Sequence, residues 1–171
     1  MNTRLTLRAI LHCPDDVFRD ISIDSTASLE ELHGAIARAY DLEPGQMASF
    51  YTTDDHWTQL DEIPLIAMDP QGLGAMADHP LSRILGGSGQ RLIFIYDFLA
   101  MWTFMVEFVR QDPGDAGAAG VVLSYGTRPK EAPDPEFAGE GGLAYAEEED
   151  EEEDEYGFDE EDLDGYSSDA W

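Results

Sequence analysis

The side chains able to do chemistry are concentrated in four short places. Asp54, Asp55 and His56 in TTDDHWTQL put two carboxylates and an imidazole within three positions, donor types that hold a divalent metal. Adjacent residues of an extended chain point to opposite sides, so at most two of the three converge on one ion and a solvated turn is the better reading. His12 beside Cys13 couples an imidazole to a thiol, the ingredients of an activated thiolate. As strand neighbours they face apart, which leaves Cys13 a structural, partly buried thiol. His33 borders the apolar side of a helical segment, where a packed, hydrogen-bonded histidine is the ordinary outcome. Gly86 to Gly89, GGSG, lacks the Lys-Ser/Thr pair of a phosphate loop and precedes a strand, not a helix, so it reads as a turn. No catalytic, cofactor-binding or metal-ligating set emerges, and no cofactor is expected. A metal-dependent hydrolase using Asp54, Asp55 and His56, supported by His33 or Asp97, is the alternative.

Hydropathy spacing supplies the scaffold for these residues. In RLTLRAIL, Leu5, Leu7, Ala9 and Leu11 alternate with Arg4, Thr6 and Arg8, the two-residue period of a strand with one wet face. After a turn at CPDD, FRDISID alternates Ile21 and Ile23 with Asp20, Ser22 and Asp24, so the first 24 residues predict a hairpin. SLEELHGAIARAY places Leu29, Leu32, Ile36 and Ala39 or Tyr40 at helical spacing. Ser28 and Glu31 form a capping box at its start, and Glu43-Pro44-Gly45 marks its stop. MASFYTT predicts a third strand and DDHW a polar turn, while residues 61–80 mix apolar pieces with Pro and Gly breakers and read as an irregular loop ending in a helical turn, LSRIL. RLIFIYD, apolar on both faces, predicts a central strand; MWTFMVEFV and GVVLSYG add two more. The expected architecture is α+β: a mixed sheet with one main helix across it, β-grasp or ubiquitin-like in outline.

Charge divides the chain. Residues 131–171 hold nineteen Asp and Glu and no Lys or Arg, whereas residues 1–130 carry eighteen acids against nine bases, leaving −9 of the total −28. The expected organisation is a folded domain over 1–128 and an acidic, low-complexity tail over 129–171, too poor in large apolar groups to offset the entropy of ordering it. One cysteine excludes an internal disulfide. The first residues lack the apolar run of a signal peptide, and no stretch reaches the roughly 18 apolar residues of a membrane span, so a cytoplasmic place is expected. Nine dispersed cations on a net-negative domain argue against direct nucleic-acid binding.

The elements carry a resemblance. The hairpin ending in ISID, SLEELHGAI with its Leu32-His33 pair, the Phe50 strand leading to Trp57, LSRIL, GSGQRLIFIYDF with Tyr96-Asp97-Phe98 and the aromatic strand after it are together similar to the plasmid-Ri open-reading-frame-three-like family, a bacterial domain also met as a transposon passenger. The similarity runs over roughly residues 5–109. It implies a small α+β domain; with no established activity in the family, it adds fold and not function. Many members follow this element with a Gly-Asp-Asp-Trp-like turn; here YDFLAMW keeps Trp102 but replaces the acidic pair with Leu99, Ala100 and Met101, which implies that any acidic site there is lost.

The tail is the candidate partner-binding region. Glu147, Glu148, Glu149, Asp150, Glu151, Glu152, Glu153, Asp154 and Glu155 are consecutive, spaced about 3.3 Å apart if extended, close to the phosphate spacing of a nucleic-acid strand. Tyr156, Phe158, Leu163, Tyr166 and Trp171 are interleaved with further acids and could dock in apolar pockets while the carboxylates steer the encounter. The expected function is a non-enzymatic adaptor or regulator with a protein partner that presents a basic surface, such as a ribosomal, polymerase or chromosomal protein. A phosphate-mimicking inhibitor is a further alternative.

Overall fold

The computed structural model describes residues 3–133. Their order is β1 Thr3–Leu11, β2 Phe18–Asp24, α1 Leu29–Ala39, β3 Ala48–Thr53, β4 Gln59–Pro64, a 3-10 turn at Met76–Asp78, α2 Leu81–Ile84, β5 Arg91–Tyr96, β6 Trp102–Pro113 and β7 Gly120–Tyr125. Residues 134–171, and with them every tail residue named above for partner contact, lie outside the described residues.

The strands form one sheet in the order β4-β3-β5-β6-β1-β2-β7, and every pairing is antiparallel. This corrects the expected mixed sheet. A hairpin, a helix and a further strand suggest parallel neighbours, because the crossover returns β3 in the direction of β2. Here β5 and β6 are inserted between the first hairpin and β3, and β6, twelve residues long, pairs with β5 on one side and β1 on the other. The hairpin-then-helix order of the β-grasp outline is present; the parallel pair that would make the sheet mixed is not.

The core lies between α1 and one face of the sheet. Leu5, Leu7, Ala9 and Leu11 alternate inward on β1 and meet Ile21 and Ile23 on β2 and Phe104 and Val106 on β6. Leu29, Leu32, Ala35 and Ile36 form the buried stripe of α1. Ser28 Oγ accepts from the Glu31 N–H while Glu31 Oε2 accepts from the Ser28 N–H, each at 3.3 Å, so the helix starts where the capping signature places it. It stops earlier than Pro44 requires: Tyr40 caps it, and Asp41 turns into the left-handed region at φ 54°. The Tyr40 ring lies 4.8 Å from Phe104 and its hydroxyl donates to the Ala9 carbonyl at 2.7 Å, which anchors the helix end to the sheet.

Arg128 ties the segment after β7 to this helix end. Its Nε donates to the Tyr40 carbonyl at 2.6 Å, its Nη2 to the Asp41 carbonyl at 3.1 Å, and its guanidinium lies 5.1 Å from the Trp102 ring. A cation on the free carbonyls at a helix C-terminus complements the helix dipole.

Candidate functional site

The residues with reactive side chains do not converge. Asp54 Oδ1 accepts from the N–H groups of His56 at 2.8 Å and Thr58 at 2.9 Å, so its carboxylate closes the turn, and the Thr58 bond in particular holds its pKa below the ordinary value. Trp57 follows at φ 63°, and Arg91 lies over its ring at 4.8 Å while reaching the Asp55 carbonyl. Asp97 Oδ1 is occupied by the N–H groups of Leu99 and Ala100. Cys13 donates to the Asp15 carbonyl at 3.2 Å, and burial pushes its thiol pKa up, away from the thiolate a nucleophile needs. Among the described residues no three His, Cys, Asp or Glu side chains come together as metal ligands.

His33 is packed rather than poised. Its ring meets Phe94 edge-on at 5.8 Å and Tyr96 at 5.7 Å, and Nε2 is buried without a hydrogen-bond partner. Desolvation lowers its pKa, opposed by Glu30. A histidine whose folded pKa lies below its unfolded value contributes no penalty above about pH 6.5 and destabilises as pH falls toward the folded pKa, because the unfolded chain binds the proton more readily. The thermal midpoint of His33→Leu should therefore fall less than that of the parent between about pH 7 and pH 5; equal falls would mean that His33 is solvated.

What the tertiary structure does bring together is apolar. The exposed large hydrophobic side chains among the described residues lie in two places. Four are on β7. The others, Met47, Leu60, Ile66, Met68, Leu73, Phe98 and Leu99, belong to the entry to β3, to β4 and the segment after it, and to the turn between β5 and β6. Met68 is 82% and Leu99 95% exposed, too much for any role in the core. Five of the seven, Met47, Ile66, Met68, Leu73 and Phe98, line one groove of about 480 Å³. Its rim carries Asp61, Glu62 and Asp69 and no cation. Glu62 accepts from Ser49 Oγ at 2.5 Å and Asp69 Oδ1 from the Gln71 N–H at 2.9 Å, which fixes both carboxylates at the groove wall.

The turn Asp97 to Met101 contributes Phe98 to the groove. Asp97 and Met101 are both left-handed, at φ 67° and 63°, and the Met101 N–H closes the turn on the Asp97 carbonyl at 2.6 Å. A methionine in that region is strained, since its Cβ crowds the following carbonyl. The strained loop leaves Phe98 and Leu99 exposed, Leu99 being one of the three residues that stand where the resemblance implies an acidic turn.

These residues escape sequence reading because they come from residues 47–49, 61–74 and 98. Only the pairing of β3 with both β4 and β5 gathers them. A usable signal was the run Leu65-Ile66-Ala67-Met68, apolar yet too short for a helix and bounded by Pro64 and Pro70.

The model of the plasmid pRiA4b ORF-3-like protein family matches residues 3–164. The chain belongs to that family. The match reaches past the described residues, so for this pRiA4b ORF-3-like protein the family likeness includes most of the acidic stretch. Among solved structures, it is similar to the crystal structure of a protein of unknown function from Methanosarcina mazei Go1, with 18% identity, a TM-score of 0.59, and coverage of 72% of this chain and 70% of the other. That likeness speaks to the fold alone. No curated protein matches.

Proposed function

We propose that this pRiA4b ORF-3-like protein is a non-enzymatic adaptor or regulator, whose groove beside β4 receives an apolar segment flanked by Lys or Arg on a protein partner. The groove's composition carries the reading: an exposed apolar floor with two methionines, which adapt to varied side chains, and a rim of three carboxylates with no cation. Charge complementarity selects a cationic occupant and speeds its encounter. The acidic-aromatic tail residues Glu147 to Glu155, Tyr156, Phe158, Leu163, Tyr166 and Trp171 would engage a basic surface of the same partner, a component of a nucleic-acid-handling complex in the cytoplasm.

The disposition of cations supports a protein over a nucleic acid as the occupant. Arg8, Arg19, Arg91 and Arg128 each lie over an aromatic ring within the domain, and Arg8 is also bidentate to the buried Asp20 at 2.7 and 3.0 Å. Four of the nine cations are thus engaged internally, leaving little to neutralise phosphates. No helix among the described residues is long and apolar enough to cross a membrane.

The test is affinity capture from the native cell with the full chain and with a Met68→Ser/Phe98→Ser double variant. Both sites are exposed, so stability should change by only about 0.5 kcal/mol per site. A partner retained by the parent and reduced at least about tenfold by the double variant supports the reading. An identical set of captured proteins from both would exclude the groove.

A further inference from the structure

The two edges of the sheet are built differently. β4 carries Asp61 and Glu62 and ends in Pro64, which has no N–H to offer; charges and proline are the features that keep an edge from pairing. β7, GVVLSY, has neither a charge nor a proline, and all six residues are exposed. Val121, Val122, Leu123 and Tyr125 leave 42–56% of their surfaces in water, a large apolar exposure for one short strand. A strand with a neighbour on one side only leaves alternate N–H and C=O groups unpaired on the other.

We propose that β7 is a second docking edge, which takes an extended cationic segment of a partner as an eighth strand. Backbone hydrogen bonds would supply part of the affinity, and alternate apolar side chains of the incoming strand would pack beside Leu123 and Tyr125, which share a face of the sheet. The register shift between Asp20 and Ile21 of β2 leaves β7 one residue longer there and tightens its twist, so the pairing run is short and side-chain contacts must add to it.

Charge decides between occupants. A second copy would bring −28 to −28. Like net charges oppose self-pairing, whereas a segment bearing Lys or Arg is attracted to a chain of this net charge. This inference is independent of the groove, which lies at the opposite edge of the sheet.

The experiment uses the full chain and two peptides of alternating lysine and valine, identical in sequence and charge, one of them N-methylated at alternate amides so that it cannot form a ladder. The unmodified peptide should shift the amide resonances of residues 121–125 saturably and slow their hydrogen exchange. The N-methylated one should bind at least about tenfold more weakly, and that ratio should survive about 0.5 M salt, where carboxylate attraction is screened within a few ångström. Leu123→Lys should weaken the unmodified peptide by a similar factor. Equal binding of the two peptides, or no change at residues 121–125, overturns the proposal. So does a concentration-dependent dimer of the parent that Leu123→Lys abolishes, since a second copy would then hold the edge.

Discussion

Phe94→Ala should unfold the domain at markedly lower denaturant, with a loss of about 3–5 kcal/mol. The ring is fully buried at the centre of β5. It stacks on Phe50 at 4.5 Å and approaches Phe104 at 5.9 Å, Tyr96 at 6.1 Å and His33 at 5.8 Å. Truncation removes transfer free energy and also leaves a void that four packed rings cannot close by small shifts. On a domain of this size about 4 kcal/mol lowers the thermal midpoint by roughly 15 °C, a large share of total stability. Equilibrium denaturation checks it: the midpoint should drop with the slope unchanged. A loss under about 1 kcal/mol would mean that β5 is not an interior strand packed beneath α1.

Gly126→Ala should be almost as damaging, by a different route. Gly126 leaves β7 at φ 79°, where any Cβ is strained. Its added Cβ would collide with the Asp16 carbonyl oxygen and sit 3.0 Å from Val17 Cα, both backbone atoms of the β1–β2 connection. Left-handed strain of about 1–2 kcal/mol and overpacking of about 1–3 kcal/mol add, because neither neighbour has a side-chain rotamer to yield. Gly114→Ala is the internal control: φ is 100°, yet nothing lies within 4 Å of its Cβ, so only the conformational cost of about 1–2 kcal/mol should appear. Native-state hydrogen exchange should show residues 120–125 losing protection in Gly126→Ala before the rest of the sheet. Equal effects of the two substitutions would remove the close approach of Gly126 to Asp16.

The second substitution bears on function. β7 reaches the sheet through β2 alone, held there by the Phe18–Tyr125 ring stack at 5.4 Å and by Arg19 donating to the Tyr125 carbonyl at 3.0 Å. A variant that frees β7 should lose strand addition at that edge while keeping the groove beside β4, which separates the two proposed surfaces.

Alternation on β1, β2 and β6 was legible because a one-sided sheet forces every second side chain into the core, a constraint that acts locally. α1 was legible from its stripe and its capping box, both of which are satisfied within the helix or its first turn. β4 was not. Of its six residues only Ile63 is buried, so an edge strand at the rim of the core shows almost no periodicity, and DEIP blends into the breakers that follow. The turn reading of Asp54-Asp55-His56 agrees with the structure because an Asp side chain bonding backbone N–H groups two and four positions on is itself a local event.

Sequence by itself determined the α+β composition, the helix and its start, most strands, the charge split and the family, since each rests on neighbours within a few positions or on counts. Tertiary structure alone decided that every strand pairing is antiparallel, that Arg128 clasps the end of α1, and that apolar side chains from residues 47, 66, 68, 73 and 98 share one groove. The reason is that those contacts join segments far apart in the chain, and their free energy appears only once β5 and β6 have entered the sheet between β1 and β3.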